Sequence, residues 1–114
     1  MSLDPAVTNS QHYRVIFEND RVRVLEYTDR PGDITTLHEH PDSVMYTLSS
    51  FRRRLHLGEV ERDVELQAGA AHWVPAQQHY GENIGETETH SIFVELKDGT
   101  SADQGSSLGP ELGG

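Results

Sequence analysis

The sequence contains no cysteine among its 114 residues, which excludes disulfide bonds, thiolate metal ligands and cysteine nucleophiles. It also has little positive charge, with 9 lysines and arginines against 19 aspartates and glutamates and a formal net charge of -10. Such an acidic chain is a poor partner for nucleic acid or an anionic membrane surface. No apolar run reaches membrane-spanning length, and the first residues do not resemble a signal peptide. We therefore expect a cytoplasmic protein that binds neither nucleic acid nor membrane.

Helix-period segments and internal repeats are also missing. Short alternating runs occur instead, separated by turns rich in Gly, Pro and Asp. These runs predict strands over residues 12–18, 21–29, 34–40, 43–48, 51–57, 62–67, 71–74, 78–83 and 89–97. Many short strands with such turns are typical of an all-β sandwich or barrel.

The length and composition predict one domain with flanking segments. Residues 1–11 are polar, and we expect them to form a flexible N-terminal segment. Residues 12–97 hold the predicted strands and form the domain. Residues 98–114 are rich in Gly and Ser and nearly devoid of core residues, which predicts a disordered tail.

The stretch His38-Glu39-His40 is the strongest candidate for a functional site. Side chains two apart on a strand project from the same face, so the two imidazoles should stand side by side and Glu39 should point away. Burying a histidine is costly unless its ring nitrogens find partners. The pair is therefore either two metal ligands, which need a third from elsewhere in the chain, or a polar part of the core.

The spacing around this pair resembles the first motif of the cupin superfamily, G-x5-H-x-H-x3,4-E-x6-G. Gly32, His38 and His40 match it as written. Ser43 takes the place of the glutamate with a spacing one residue shorter, and Ser50 takes the place of the closing glycine. Ser43 is either a substitute that holds water or a substrate hydroxyl, or simply a small polar residue where a strand starts.

A second cupin motif, G-x5-P-x-G-x2-H-x3-N, is also recognisable. Gly69, Pro75, His79 and Asn83 fit it, although Gln77 replaces the central glycine and one residue before the histidine is missing. The resemblance covers about residues 13–97. It identifies the chain as a small single-domain cupin of the cupin-2-like bacterial type.

The resemblance implies a single jelly-roll β-barrel in which His38, His40 and His79 bind one divalent metal ion inside the barrel. Imidazole ligands suit Fe, Zn or Ni, and Mn is a further candidate. The resemblance also implies a homodimer. The alternative from the residues alone is that these histidines line a pocket that has lost its metal.

Three neutral ligands would leave the full positive charge on the ion, which favours a small anionic, chelating metabolite as substrate. Dioxygenase, isomerase or lyase chemistry would then be possible. The alternative function is a non-catalytic cupin with a degenerate site that binds a small molecule or serves as an accessory subunit.

Two further residues are candidates for acid–base catalysis. His90 has the same strand phase as Ile92, Val94 and Leu96, which we expect to face the interior. It is either a proton carrier near the site or a satisfied core histidine. Tyr46 is the second candidate.

The basic run at residues 52–54 could either bind substrate or lie on the surface of the protein. Arg52, Arg54 and His56 share one strand face and would form a carboxylate-binding wall if they lined the barrel. The apolar residues Phe51 and Leu55 share the opposite face, so we expect the basic set to face outward.

Overall fold

The alternating runs form nine antiparallel strands in a computed structural model that describes residues 2–97 and 108–110. One short helix precedes them, α1 (Pro5–Thr8). The strands are β1 (Tyr13–Glu18), β2 (Val22–Asp29), β3 (His38–His40), β4 (Ser43–Thr47), β5 (Phe51–Leu57), β6 (Val60–Leu66), β7 (Ala71–Val74), β8 (Gln77–Asn83) and β9 (Thr89–Leu96). No helix in the described part of the chain is both long and apolar enough to span a membrane.

The third strand is shorter than predicted. Its expected first half, residues 34–37, makes one isolated bridge between Ile34 and Glu82. The backbone N–H of Thr36 donates instead to the side-chain oxygen of Asn9, at 2.8 Å. A side-chain acceptor from the N-terminal segment thus takes the place of a partner strand.

The strands form two sheets that face each other, a jelly-roll sandwich. The order is β1-β2-β9-β4-β7 in the five-stranded sheet and β3-β8-β5-β6 in the four-stranded sheet. The sheets do not close into a barrel, so the all-β jelly roll is confirmed but a closed barrel is not. The turn between β5 and β6 has Gly58 at its first central position with φ +59°, which a type II′ turn requires and glycine adopts readily.

The core lies between the sheets, and its buried apolar and aromatic residues come mainly from the five-stranded sheet. They are Tyr13, Leu25, Tyr27, Met45, Phe51, Leu66, Val74 and Phe93.

The predicted orientation of β9 is wrong. Phe93 and Glu95 face inward, whereas Ile92, Val94 and Leu96 lie on the outer side of the sheet. The strand phase was misread because the interior contains paired charges and the outer face is apolar. Apolar alternation alone therefore identifies the wrong face.

The N-terminal segment, which we expected to be flexible, packs against the domain. Asp4 caps α1 by accepting a hydrogen bond from the backbone N–H of Ala6 at 2.9 Å. Leu3 accepts a backbone hydrogen bond from Glu39 at 2.8 Å. Asn9 is fully buried behind His38, its side chain donating to the carbonyl of Thr36 at 3.2 Å.

Most of the predicted disordered tail, residues 98–107 and 111–114, lies outside the described residues. Residues 108–110 are described, and they pack against the domain. Arg62 donates to the carbonyl oxygens of Leu108 and Pro110, the latter at 3.3 Å.

A buried ion pair joins the two sheets. The Arg53 guanidinium on β5 donates to the carboxylate of Asp29 on β2, and Tyr27 and Asn83 donate to the same carboxylate. Burial raises the pKa of Asp29, but the adjacent guanidinium and these hydrogen bonds outweigh it and leave the pKa below its usual value. The carboxylate therefore stays ionised opposite Arg53.

Replacing Asp29 with Ala should destabilise the fold strongly, because it leaves the Arg53 charge buried and unpaired. We expect a loss in the free energy of unfolding on the order of 3–5 kcal/mol, measured by urea titration. The matched control is Asp63→Ala, which removes the partner of the exposed Arg54 and should cost far less. Equal losses in the two variants would contradict this account.

The same pair should make stability depend on pH. Since the pKa of Asp29 is lowered in the folded state, its contribution is complete above the ordinary carboxyl pKa and is lost as the pH falls through the lowered value.

Candidate metal centre

Three buried histidines meet on the inner side of the four-stranded sheet. His38 and His40 lie on β3, and His79 lies directly opposite His38 on β8. One ring nitrogen from each lies within 4.8 Å of the others. The ring centroid of His38 lies 4.8 Å from that of His40 and 4.9 Å from that of His79, and the two rings of each pair meet edge-on. The geometry therefore brings together all three residues that the sequence indicated.

Two of the rings have a fixed hydrogen-bond acceptor behind them. The Nδ1 of His38 donates to the carbonyl oxygen of Thr36 at 2.7 Å. The Nδ1 of His79 donates to the side-chain oxygen of Gln77 at 2.7 Å. With the proton held on Nδ1, the Nε2 lone pair of each ring is left free to bind an ion.

The third ring is arranged similarly, although less tightly. The Nδ1 of His40 faces a carboxylate oxygen of Glu95 at 3.5 Å. On the opposite side of the ring, the Tyr13 hydroxyl lies 3.3 Å from the Nε2 of His40 and 3.5 Å from the Nε2 of His38. Tyr13 therefore reaches the point between the histidines.

Burial and mutual proximity keep two of these imidazoles neutral. Burial, with His40 nearby, lowers the pKa of His38 to about 3. Burial and the two neighbouring histidines lower the pKa of His79 well below its usual value. Burial raises the pKa of the Tyr13 hydroxyl, so it stays protonated. At neutral pH the site offers imidazole lone pairs and one O–H donor.

These residues fit a divalent metal ion. A transition-metal site needs neutral imidazoles with a free lone pair on one ring nitrogen and an orienting hydrogen-bond acceptor at the other, and His38 and His79 have both. His38, His40 and His79 would hold the ion. Ser43, at the position of the missing motif glutamate, is fully buried and has no hydrogen-bond partner for its hydroxyl among the described residues.

A cavity of about 50 Å³ lies beside His38 and His79. Most of its wall is apolar, and Arg53, paired with Asp29, is the one cationic side chain among the described lining residues. Gly109 and Pro110 form part of the wall. The volume admits about three to five water-sized atoms, which favours a compact ligand.

Solved structures with this arrangement of sheets include a cupin domain from Bordetella pertussis Tohama I. It is 28% identical, the match covers 75% of this chain and 91% of that one, and the TM-score is 0.69. The chain has the cupin fold. No protein-family model matches its sequence, and no curated protein does.

Two more solved structures extend the likeness in fold. A protein with a double-stranded β-helix domain from Klebsiella pneumoniae is 22% identical over 87% of this chain and 84% of that one, with a TM-score of 0.60. The polyketide cyclase RemF from Streptomyces resistomycificus is 19% identical over 83% and 70%, with a TM-score of 0.58. Both share the cupin fold with this chain.

The two predicted acid–base residues lie away from the histidines. His90 is on the outer face of the five-stranded sheet, where its Nε2 pairs with Glu26 at 2.7 Å. Tyr46 is 44% exposed on the outer side of β4. His90 was placed inside by a strand phase that the buried Glu95 reverses.

The prediction for the basic run is confirmed. Arg52, Arg54 and His56 face outward, and Arg54 pairs with Asp63 on β6 at 2.8 Å. Arg53 faces the interior, as its phase predicts.

Three residues at the site were missed by sequence reasoning. Tyr13 was assigned to a strand but given no role. Glu95 shares the phase of Phe93, so a correct orientation of β9 would have identified it. Gln77 was noted only as a departure from the motif.

Replacing Gln77 with Ala should weaken metal binding, because it removes the acceptor that orients the ring of His79. We expect a loss of Zn²⁺ affinity of about 10–100-fold in a chelator-competition titration. The control is Gln78→Ala, since the neighbouring side chain lies on the opposite face of β8. A loss of the same size in both variants would show that Gln77 does not act through His79.

Proposed function

We propose that this cupin is a metal-dependent enzyme whose His38, His40 and His79 bind one divalent ion and whose substrate is a small anionic, chelating metabolite. The observation that carries the proposal is the convergence of three buried imidazoles, with two of the three rings hydrogen-bonded at Nδ1 to a protein acceptor. A bound ion would supply Lewis acidity and lower the pKa of a coordinated water or substrate group.

The substrate class follows from the charges around the cavity. The histidines are neutral ligands, and the Arg53 charge is already matched by Asp29. An anionic group on the substrate would therefore bind at the histidines and not on the opposite wall. The small, mostly apolar cavity favours a compact carbon skeleton.

Tyr13 is the proposed acid–base residue in place of His90 and Tyr46. Its O–H lies against the Nε2 atoms of His38 and His40 and has no other hydrogen-bond partner among the described residues. When a metal ion binds those lone pairs, the O–H would be free to donate its proton to an oxygen or carbon atom of a bound substrate. A protonated donor at this point favours isomerase or lyase chemistry as the first activity to test, with dioxygenase chemistry next.

The first experiment is metal analysis of the purified protein. We expect about one equivalent of a transition metal per chain, lost in His79→Ala and retained in His90→Ala, whose ring lies on the outer face. Absence of metal in the wild-type protein after reconstitution with Zn²⁺, Fe²⁺, Mn²⁺ and Ni²⁺ would overturn the proposal.

Activity is tested with pyruvate and acetylacetone as probes. Exchange of their acidic C–H protons in D₂O, followed by NMR, reports proton transfer, and oxygen consumption reports dioxygenase chemistry. We expect Tyr13→Phe to retain metal and lose about 10²–10⁴-fold in exchange rate.

A non-catalytic binding function is the second candidate. It is favoured by the loss of the motif glutamate at Ser43. Stoichiometric metal with neither exchange nor oxygen consumption for any probe would support it.

We also propose that the cupin is a homodimer. Outward apolar side chains form one continuous row across all five strands of the larger sheet, through the paired residues Phe17, Val24, Val94, Val44 and Trp73. Three of the five are more than a third exposed. Such a face is self-complementary about a two-fold axis, and a second copy would cover it.

Replacing Val44 with Glu should separate the protomers, because it places a charge in the middle of this row. Light scattering should give twice 12.8 kDa for the wild type and 12.8 kDa for the variant. Val60→Glu, an exposed site on the other sheet, should leave the dimer intact. A monomeric wild type would contradict the proposal.

A further inference from the structure

Glu95 brings a buried carboxylate to the site from a strand where the cupin motif does not place one. It lies on β9 directly opposite Ser43, the residue at the motif's glutamate position. Only 3% of Glu95 is exposed. A carboxylate buried to this extent needs specific partners.

One partner fixes the carboxylate in place. The Nε of Arg23 donates to one oxygen of Glu95 at 2.9 Å. The other two nitrogens of that guanidinium donate to the two oxygens of Asp4, both at 2.9 Å. The cap residue of α1 therefore holds Arg23, and Arg23 holds Glu95.

The second carboxylate oxygen faces the metal site. It lies 3.5 Å from the Nδ1 of His40, and neither atom has a hydrogen-bond partner among the described residues. A small rotation of the ring would bring the two atoms within hydrogen-bond distance. The other two histidines already have such an acceptor at 2.7 Å.

We propose that Glu95 is the positioning residue for His40, holding the proton on Nδ1 and directing the Nε2 lone pair toward the ion. This inference rests on the proposed metal site. Glu95 would orient the ring of His40 without binding the ion itself. The free carboxylate oxygen of Glu95 faces the Nδ1 atom of His40, whereas Tyr13 contacts the Nε2 atom on the other side of the ring. The negative charge would also make the imidazole a stronger ligand.

The decisive variant is Glu95→Gln, which keeps the shape of the side chain. Arg23 has only donors, so it takes the amide oxygen and leaves the NH₂ group facing His40. The Nδ1 of His40 must then accept, which moves the ring proton to Nε2 and blocks the lone pair. We expect the opposite ring tautomer from the wild type and a loss of Zn²⁺ affinity of about 10–100-fold.

The matched control is Glu26→Gln on the outer face of β2. Glu26 also joins an arginine to a histidine, accepting from Arg14 at 2.6 Å and contacting His90 at 2.7 Å. Glu26 lies outside the site, so the Zn²⁺ affinity of the Glu26→Gln variant should match that of the wild type and the His40 tautomer should not change.

The tautomer is read by long-range ¹H–¹⁵N NMR of the metal-free protein, and the affinity by chelator competition. An Nε2–H tautomer for His40 in the wild type would overturn the inference even if Glu95→Gln did not fold. A folded Glu95→Gln with wild-type affinity and tautomer would also overturn it. If the wild type has the Nδ1–H tautomer but binds no Zn²⁺, the proposed function fails while the orienting role of Glu95 is supported.

Discussion

Three buried imidazoles packed against one another between two sheets are the feature on which the rest of the structure depends. Each buried ring needs a partner for Nδ1, or the cost of removing that nitrogen from water is not recovered. A backbone carbonyl serves His38 and an amide oxygen serves His79, while a carboxylate stands behind His40. Thr36 and Gln77 each lie two residues from the histidine they serve, whereas Glu95 comes from the opposite sheet, so the complete site forms only when the two sheets have packed together.

The interior of this protein is accordingly more polar than that of an ordinary sandwich. The pairs Arg53–Asp29 and Arg23–Glu95 lie inside, and the apolar row of the larger sheet lies outside. Buried ion pairs contribute little net stability once desolvation is counted, but losing one partner is costly. Such an interior suits a site that must orient polar ligands, and such an exterior suits a surface that another copy of the chain covers.

The parts of the fold predicted from the sequence are those with local causes. Turn residues and short alternating runs located the nine strands, and the two-residue spacing correctly put His38 and His40 on one face. His79 required the resemblance to a family, because nothing local indicates that β8 pairs with β3.

The parts that could not be predicted depend on tertiary pairing of charges. Ile92 and Val94 made the outer face of β9 look like the inner one, which placed His90 inside and left Glu95 out. The N-terminal segment has no periodic pattern, yet Asp4 and Asn9 hold it against the site. Such contacts join residues far apart in the chain and leave no periodic pattern in the sequence.

X-ray absorption spectroscopy of the Zn²⁺-loaded protein tests the central claim most directly. The account predicts three imidazole nitrogens at about 2.0–2.1 Å from the ion, with the multiple scattering typical of histidine rings. One imidazole should disappear in each of His38→Ala, His40→Ala and His79→Ala. A first shell composed only of oxygen, or one unchanged by these three substitutions, would contradict the account.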